Sequence, residues 1–267
     1  MQHVPPLQAT IARFFIAFLC VAPFLWNYRN KIIKISGVDW LPICLLGLIF
    51  YFTFPLTFNH ALQRTTAAHG AVIVATLPTL SLIFSVLLKV EKLNKFKVLG
   101  CCTAIFGIFL AVFDDLQKEN FSSNMILGDF FMFTAMVQGA LFAVFSKKYF
   151  QIYGAWVVTV LCITIAFIVT IPFTLSYVGL AWLYSLSKTQ IFYLLFLGSI
   201  GVPIQFGLFS WSVSKLGPSQ SAMYVVLAPL SGSFFAYFIL GEVLTTMFIV
   251  GLALVSSAIF LMNYKIR

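Results

Sequence analysis

Gln138 and Gln205 are the side chains hardest to reconcile with the apolar runs that hold them. A primary amide offers two donors and an acceptor. Left unpaired in hydrocarbon it loses roughly 2 to 7 kcal/mol, and hydrogen bonds between membrane helices recover only about 0.6 to 2 kcal/mol. The two glutamines are therefore expected to face a shared wet cavity. Trp211, Tyr224, Tyr51, Asn59 and Thr76 lie in similar runs and extend the set. Amides beside aromatic walls suit the binding of a zwitterionic or polar metabolite with an apolar portion. Each of these residues also has a plainer reading, as a polar contact between helices or, for Trp211, as an anchor at the membrane interface, for which Tyr51 and Tyr224 lie too deep in their runs.

Two further pairs have structural chemistry. Pro78 and Pro229 fall near the middle of apolar runs, where each removes a backbone hydrogen bond and is expected to kink its helix. They are read as hinge or gate positions. Glu91 and Glu242 end the same two runs. Each is expected to cap the N-terminus of the helix that follows, where the dipole favours negative charge, in preference to carrying a coupling proton. No carboxylate sits inside an apolar run to act as a proton relay, and Asp129 stands at the entrance of one. Proton coupling would fall to His60 or His69, since imidazole titrates near neutrality, so facilitated diffusion or exchange is the favoured mode.

Soluble catalysis finds no footing. There is no glycine-lysine phosphate loop, no His-Glu-x-x-His and no glycine-flanked nucleophilic serine. The five cysteines, Cys20, Cys44, Cys101, Cys102 and Cys162, lie in apolar runs without zinc spacing and are read as free, buried thiols. Neither a metal nor a cofactor is expected, and the chain is not read as an enzyme.

The elements that must position these residues are membrane helices. Of 267 residues 61% are hydrophobic and 9% charged, against about a quarter charged in a soluble domain. The apolar material comes in segments of roughly 18 to 25 residues, the length needed to cross about 30 Å of hydrocarbon as a helix. Nine spans are expected: 7–26, 40–62, 68–88, 96–113, 126–145, 154–177, 190–213, 221–240 and 246–264. The 16 basic residues are scattered through short loops, which favours a membrane topology signal over nucleic-acid binding. Alternate loops carry twelve Lys and Arg on one side and three on the other, which puts the C-terminus in the cytoplasm.

Much of the chain occurs twice. Adding 151 to a position in the first copy gives its counterpart without a gap: Gly47 and Gly198, Pro78 and Pro229, Glu91 and Glu242, Gly100 and Gly251, and Ile108-Phe109-Leu110 and Ile259-Phe260-Leu261. The first repeat is 1–118 and the second 119–267. The span 126–145 would have its counterpart ahead of residue 1, so the pattern is five plus five with the first helix absent. Five spans per repeat is an odd number, and the two copies must then be inserted upside down relative to each other, as alternating access uses.

These residues resemble the drug/metabolite transporter superfamily in its ten-helix EamA-type branch. Ala61-Leu62 through Thr66-Ala67-Ala68 into Pro78, Leu88 to Leu93 around Glu91, and Gly100 to Leu110 carry the resemblance. So do their second copies, Gly217 to Pro229, Gly241-Glu242 and Gly251 to Leu261. Arg13 sits where the family has an arginine near the start of its second helix, and Gly128-Asp129 opens the sixth. The resemblance implies an all-α integral membrane fold of two inverted-repeat bundles in the inner (plasma) membrane, carrying small metabolites such as amino acids, often outward. The partners it implies are the metabolite and the bilayer, with a homodimer also open. A competing reading is a non-transporting membrane subunit or receptor-like protein of the same fold that has lost its first helix.

Overall fold

The computed structural model describes residues 6–113, 117, 123–177, 186–240 and 245–263. Each of the nine expected spans is mainly helical over its described residues, two of them as a pair of helices parted by a turn, and no strand occurs among the described residues. Apolar runs of this length leave the backbone no other way to satisfy its polar groups in lipid.

In chain order the helices are α1 (Pro6–Ile32), α2 (Gly37–Gly47), α3 (Phe54–Leu62), α4 (Ala67–Val74), α5 (Leu77–Leu87), α6 (Lys95–Ala111) and α7 (Ser123–Tyr153). They continue with α8 (Ala155–Tyr177), α9 (Lys188–Phe196), α10 (Val202–Leu216), α11 (Pro218–Val225), α12 (Leu227–Leu240) and α13 (Thr246–Asn263). Two π-helical turns, Leu48–Thr53 and Leu197–Gly201, join α2 to α3 and α9 to α10.

The repeat is visible in these bounds. Shifted by 151, α4 begins and ends where α11 does, α6 begins where α13 does, α2 begins where α9 does, and the two π turns overlap. A π turn widens the ladder by one residue and is frequent at functional sites. Its recurrence at Gly47 and Gly198 shows that the glycines mark a backbone feature common to both copies.

The structure corrects the expected proline kink. Helix α4 stops at Val74, Ala75 and Thr76 form a turn, and α5 starts at Leu77, so Pro78 stands in the first turn of a new helix. There its missing N–H is one that the helix would leave unused anyway. The Thr76 hydroxyl donates to the Ile73 carbonyl at 2.6 Å across the break. In the second copy the interruption falls at Val226, counterpart of Ala75, with Pro229 in the first turn of α12.

The chain divides into two compact units, and neither is a contiguous repeat. One comprises residues 1–59 and 145–215, the other 60–144 and 216–267. In the first unit α8 packs against α1, against α2 and against the first π turn, while α1 also meets the second π turn. A Cβ on Gly47 would stand 3.3 Å from the Cys162 backbone, and one on Gly198 would stand 3.0 Å from the Arg13 carbonyl oxygen. Both glycines therefore permit a close approach of backbones.

The second unit is organised on α6 and α13, which are copies of each other and pack together. A Cβ on Gly107 would lie 3.0 Å from the Gly251 carbonyl oxygen, and one on Gly100 would lie 3.0 Å from that of Ala258. With Ala104 and Ala111, these positions give the small-residue face by which membrane helices gain close packing. Ile108, Val255, Ala258 and Met262 fill the seam, joined by Met223 and Val226 from the region of α11, which packs on α5.

Candidate functional site

Glu91 reaches its place through the end of α5. The N–H of Val90 donates to the Ser85 carbonyl at 2.7 Å and that of Lys89 to Val86 at 3.0 Å, a helix stop that requires a left-handed residue, here Lys89 at φ 57°. The turn directs Glu91 inward, to a side-chain exposure of 5%. Its carboxylate accepts from Lys97 Nζ at 2.5 Å, from the Ser219 backbone N–H at 3.3 Å, and from the Ser219 hydroxyl. This corrects the expected cap. The helix that follows, α6, is capped by Asn94, whose side chain accepts from the Phe96 N–H at 3.0 Å. Glu91 instead covers the N-terminus of α11, whose first flanking residue, Gly217 at φ 100°, has no side chain with which to cap it. Glu242 lies outside the described residues.

At the matching start of α4 the cap is local, with Thr66 accepting from the His69 N–H at 3.3 Å. A carboxylate stands here too. Asp129 of α7 accepts from the Thr65 hydroxyl with one oxygen, and its other oxygen lies 2.9 Å from His69 Nδ1. The pair is largely enclosed, at side-chain exposures of 11% for His69 and 26% for Asp129. Gly128 allows the approach, because a Cβ there would sit 2.6 Å from the Thr65 nitrogen. Next to it Arg64 donates to the His60 carbonyl at 3.0 Å and covers the Phe131 ring at 5.7 Å.

In the first unit Tyr51 lies within its π turn and is fully buried. Its ring meets Phe206 at 4.8 Å, Phe50 at 5.5 Å and Phe14 at 6.4 Å, mostly edge to face, the preferred geometry of aromatic pairs. Its hydroxyl faces those of Thr159 and Ser210, both buried. Asn59 donates to the Thr10 hydroxyl at 2.6 Å. On α10, Gln205 and Trp211 are exposed, and between them Gly207 accommodates the ring of Trp156.

Tyr51, Asn59, Gln205 and Trp211 thus belong to the first unit, and Thr76, Gln138 and Tyr224 to the second. Tyr224 is exposed, with its hydroxyl 3.3 Å from the Asn263 amide, and Gln138 is partly buried on α7. The expectation of uniformly buried thiols is corrected: Cys101 and Cys162 are buried, but Cys20 and Cys102 are exposed. Sequence reasoning missed Lys97 and Ser219 as partners of Glu91, Thr65 and His69 as partners of Asp129, and Trp156. The glycine at position 217, where the other copy has a capping threonine, was the one available signal for Ser219. Among the described residues no group of three or more His, Cys, Asp or Glu could hold a metal ion.

Comparison with known proteins matches residues 1–113 and 126–264 to the EamA-like transporter family. The chain is 21% identical over 267 residues to the uncharacterized transporter YoaV of Bacillus subtilis, covering 99% of this chain and 89% of that protein. It is 26% identical over 248 residues to an uncharacterized transporter of Archaeoglobus fulgidus, covering 91% and 82%. A crystal structure shares its fold at a TM-score of 0.81 and 15% identity, over 98% of this chain and 88% of the other.

Proposed function

Because the chain belongs to the EamA-like transporter family, we propose that it is a secondary carrier that moves small metabolites such as amino acids outward across the inner (plasma) membrane by alternating access. The observation that carries this reading is the recurrence, 151 residues apart, of the same interrupted helices: α4 broken from α5 at Ala75-Thr76 and α11 from α12 at Val226. Interrupted helices in paired repeats are the working parts of carriers that rock about a central site. Pro78 and Pro229 then lie at the bends, and the C-terminus is cytoplasmic. Gln138, Gln205 and Trp211 supply amide and aromatic contacts to the substrate, with Tyr51, Asn59, Thr76 and Tyr224 as further members of the set.

The test is transport by the full chain in liposomes against a panel of labelled amino acids and small organic acids. Saturable flux with counterflow is the expected result. Folded, inserted protein that moves none of them would favour the non-transporting reading.

A second reading concerns coupling. The hydrogen bond between His69 and Asp129 supports a proton-linked carrier over facilitated diffusion. An imposed pH gradient that drives accumulation in the parent and not in Asp129→Asn would establish it. Equal accumulation in both would leave facilitated diffusion or exchange.

A further inference from the structure

Arg13 lies seven residues inside α1, about 10 Å along the helix by its rise. An arginine in the apolar part of a span is costly and is ordinarily paired, solvated through a cavity, or drawn to the interface by its own length. Among the described residues Arg13 forms no ion pair, and its Nε is fully enclosed without a hydrogen-bond partner. The sealed Nε shows that the base of the fork is packed against protein, while the residue as a whole is partly exposed.

The surroundings are built from three separate pieces of the first unit. Thr10 stands one turn earlier on α1, nearly buried, and is held by the amide of Asn59 from α3 at 2.6 Å. The second π turn presses on the same stretch of α1, for a Cβ on Gly198 would stand 2.7 Å from Ile16 and 3.0 Å from the Arg13 carbonyl oxygen. Arg13 and Thr10, three residues apart, share one face of α1, where long side chains lean toward the helix start, and the Asn59 amide meets that face at Thr10 beside a backbone irregularity of a kind frequent at functional sites. The planar fork of Arg13 fits an oxyanion through paired N–H donors.

We propose that Arg13, with Thr10 and Asn59, forms a subsite for the carboxylate of a small organic solute. This rests on the carrier reading and names its substrate class. A phosphate of an anionic lipid headgroup offers the same oxyanion chemistry, and the experiment separates the two sources.

The full chain in neutral detergent is heated with acetate, succinate or benzoate, each against its amide, with chloride holding ionic strength constant. At least one carboxylate raises the midpoint of unfolding and its amide does not. Arg13→Gln abolishes the shift, and Arg13→Lys, which keeps the charge and loses the fork, retains only part of it. Should Arg13→Gln fail to fold, Asn59→Leu reports instead and weakens the shift severalfold. The proposal is overturned if no carboxylate outperforms its amide, if the shift survives Arg13→Gln, or if phosphatidylglycerol added to the detergent gives the Arg13-dependent shift and the carboxylates do not. Because the readout is binding, a chain that transports a neutral solute and binds no carboxylate sinks this inference alone. A chain that binds carboxylates and transports nothing sinks the carrier reading instead.

Discussion

The carboxylate of Glu91 accepts the backbone N–H of Ser219 at 3.3 Å, joining residues 128 apart in the chain. One repeat thereby caps a helix of the other. Where the first copy has Thr66 to cap α4, the second has Gly217, and the missing oxygen is supplied from Glu91. Sequence similarity between the copies conceals this asymmetry, because the two glutamates match while the residues they would face do not.

Removing the charge of Glu91 leaves Lys97 unpaired at a side-chain exposure of 16%. Glu91→Gln is expected to destabilise by about 3 kcal/mol, the cost of breaking a buried pair from one side. Glu91→Gln combined with Lys97→Met recovers a good part of that loss. Unfolding of the purified protein checks both, and an additive double variant would show that the pair is uncoupled.

Crowding at the seam of α6 and α13 gives a second outcome. Gly107→Ala places a methyl group 3.0 Å from the Gly251 carbonyl oxygen and 2.9 Å from Val255. Overpacking of this kind costs roughly 1 to 3 kcal/mol. Gly37→Ala, with nothing within 4 Å of the new atom, serves as the control and should be close to neutral.

Gly128→Ala should separate α7 from the turn at Arg64-Thr65, since the added Cβ would meet the Thr65 nitrogen at 2.6 Å. The hydrogen bond between Asp129 and His69 is expected to break with it. Infrared or NMR signals of the His69 ring should then match those of Asp129→Asn; retention of the parent's signals would show that the contact does not depend on the glycine.

Pro78→Ala restores an N–H that can reach the Val74 carbonyl and continue α4 into α5. Little stability is at stake, under about 1 kcal/mol, because proline in a first turn displaces no intrahelical bond. Transport is expected to fall severalfold while insertion is unchanged, and unaltered flux would remove Pro78 from the gate.

Gln138→Leu and Gln205→Leu should each insert normally and lower flux, as expected of side chains whose amides serve substrate better than lipid. Normal flux in both variants would reduce the assignment to helix contacts.

The helices and their repetition were legible because apolar length and the matched glycines, prolines and glutamates are written in the residues themselves. The break at Ala75-Thr76 was half legible. Pro78 signalled an interruption, but whether it kinks one helix or opens another depends on the two residues before it, which carry no distinctive chemistry. The partners of Glu91 were hidden for a different reason. A glutamate near a helix end has a local acceptor role available, and only the fold reveals that Asn94 already fills it. His69 and Asp129 lay 60 residues apart with nothing but the small size of Gly128 to hint at an approach.

The intertwined construction of the second unit also bears on how the chain is made. Helix α6 opens at Lys95 and its mate α13 at Thr246, so 151 residues must follow before the seam can close. At a synthesis rate of about 5 to 20 residues per second, α6 waits about 8 to 30 s in the bilayer with its glycine face uncovered. During that interval the Lys97 ammonium and the Glu91 carboxylate lack the Ser219 hydroxyl and N–H that they meet in the finished fold. A stalled ribosome anywhere before α13 would therefore leave a membrane-inserted intermediate whose small-residue face is open to any passing helix, and it is the making of Thr246–Asn263 that decides whether the seam closes on itself.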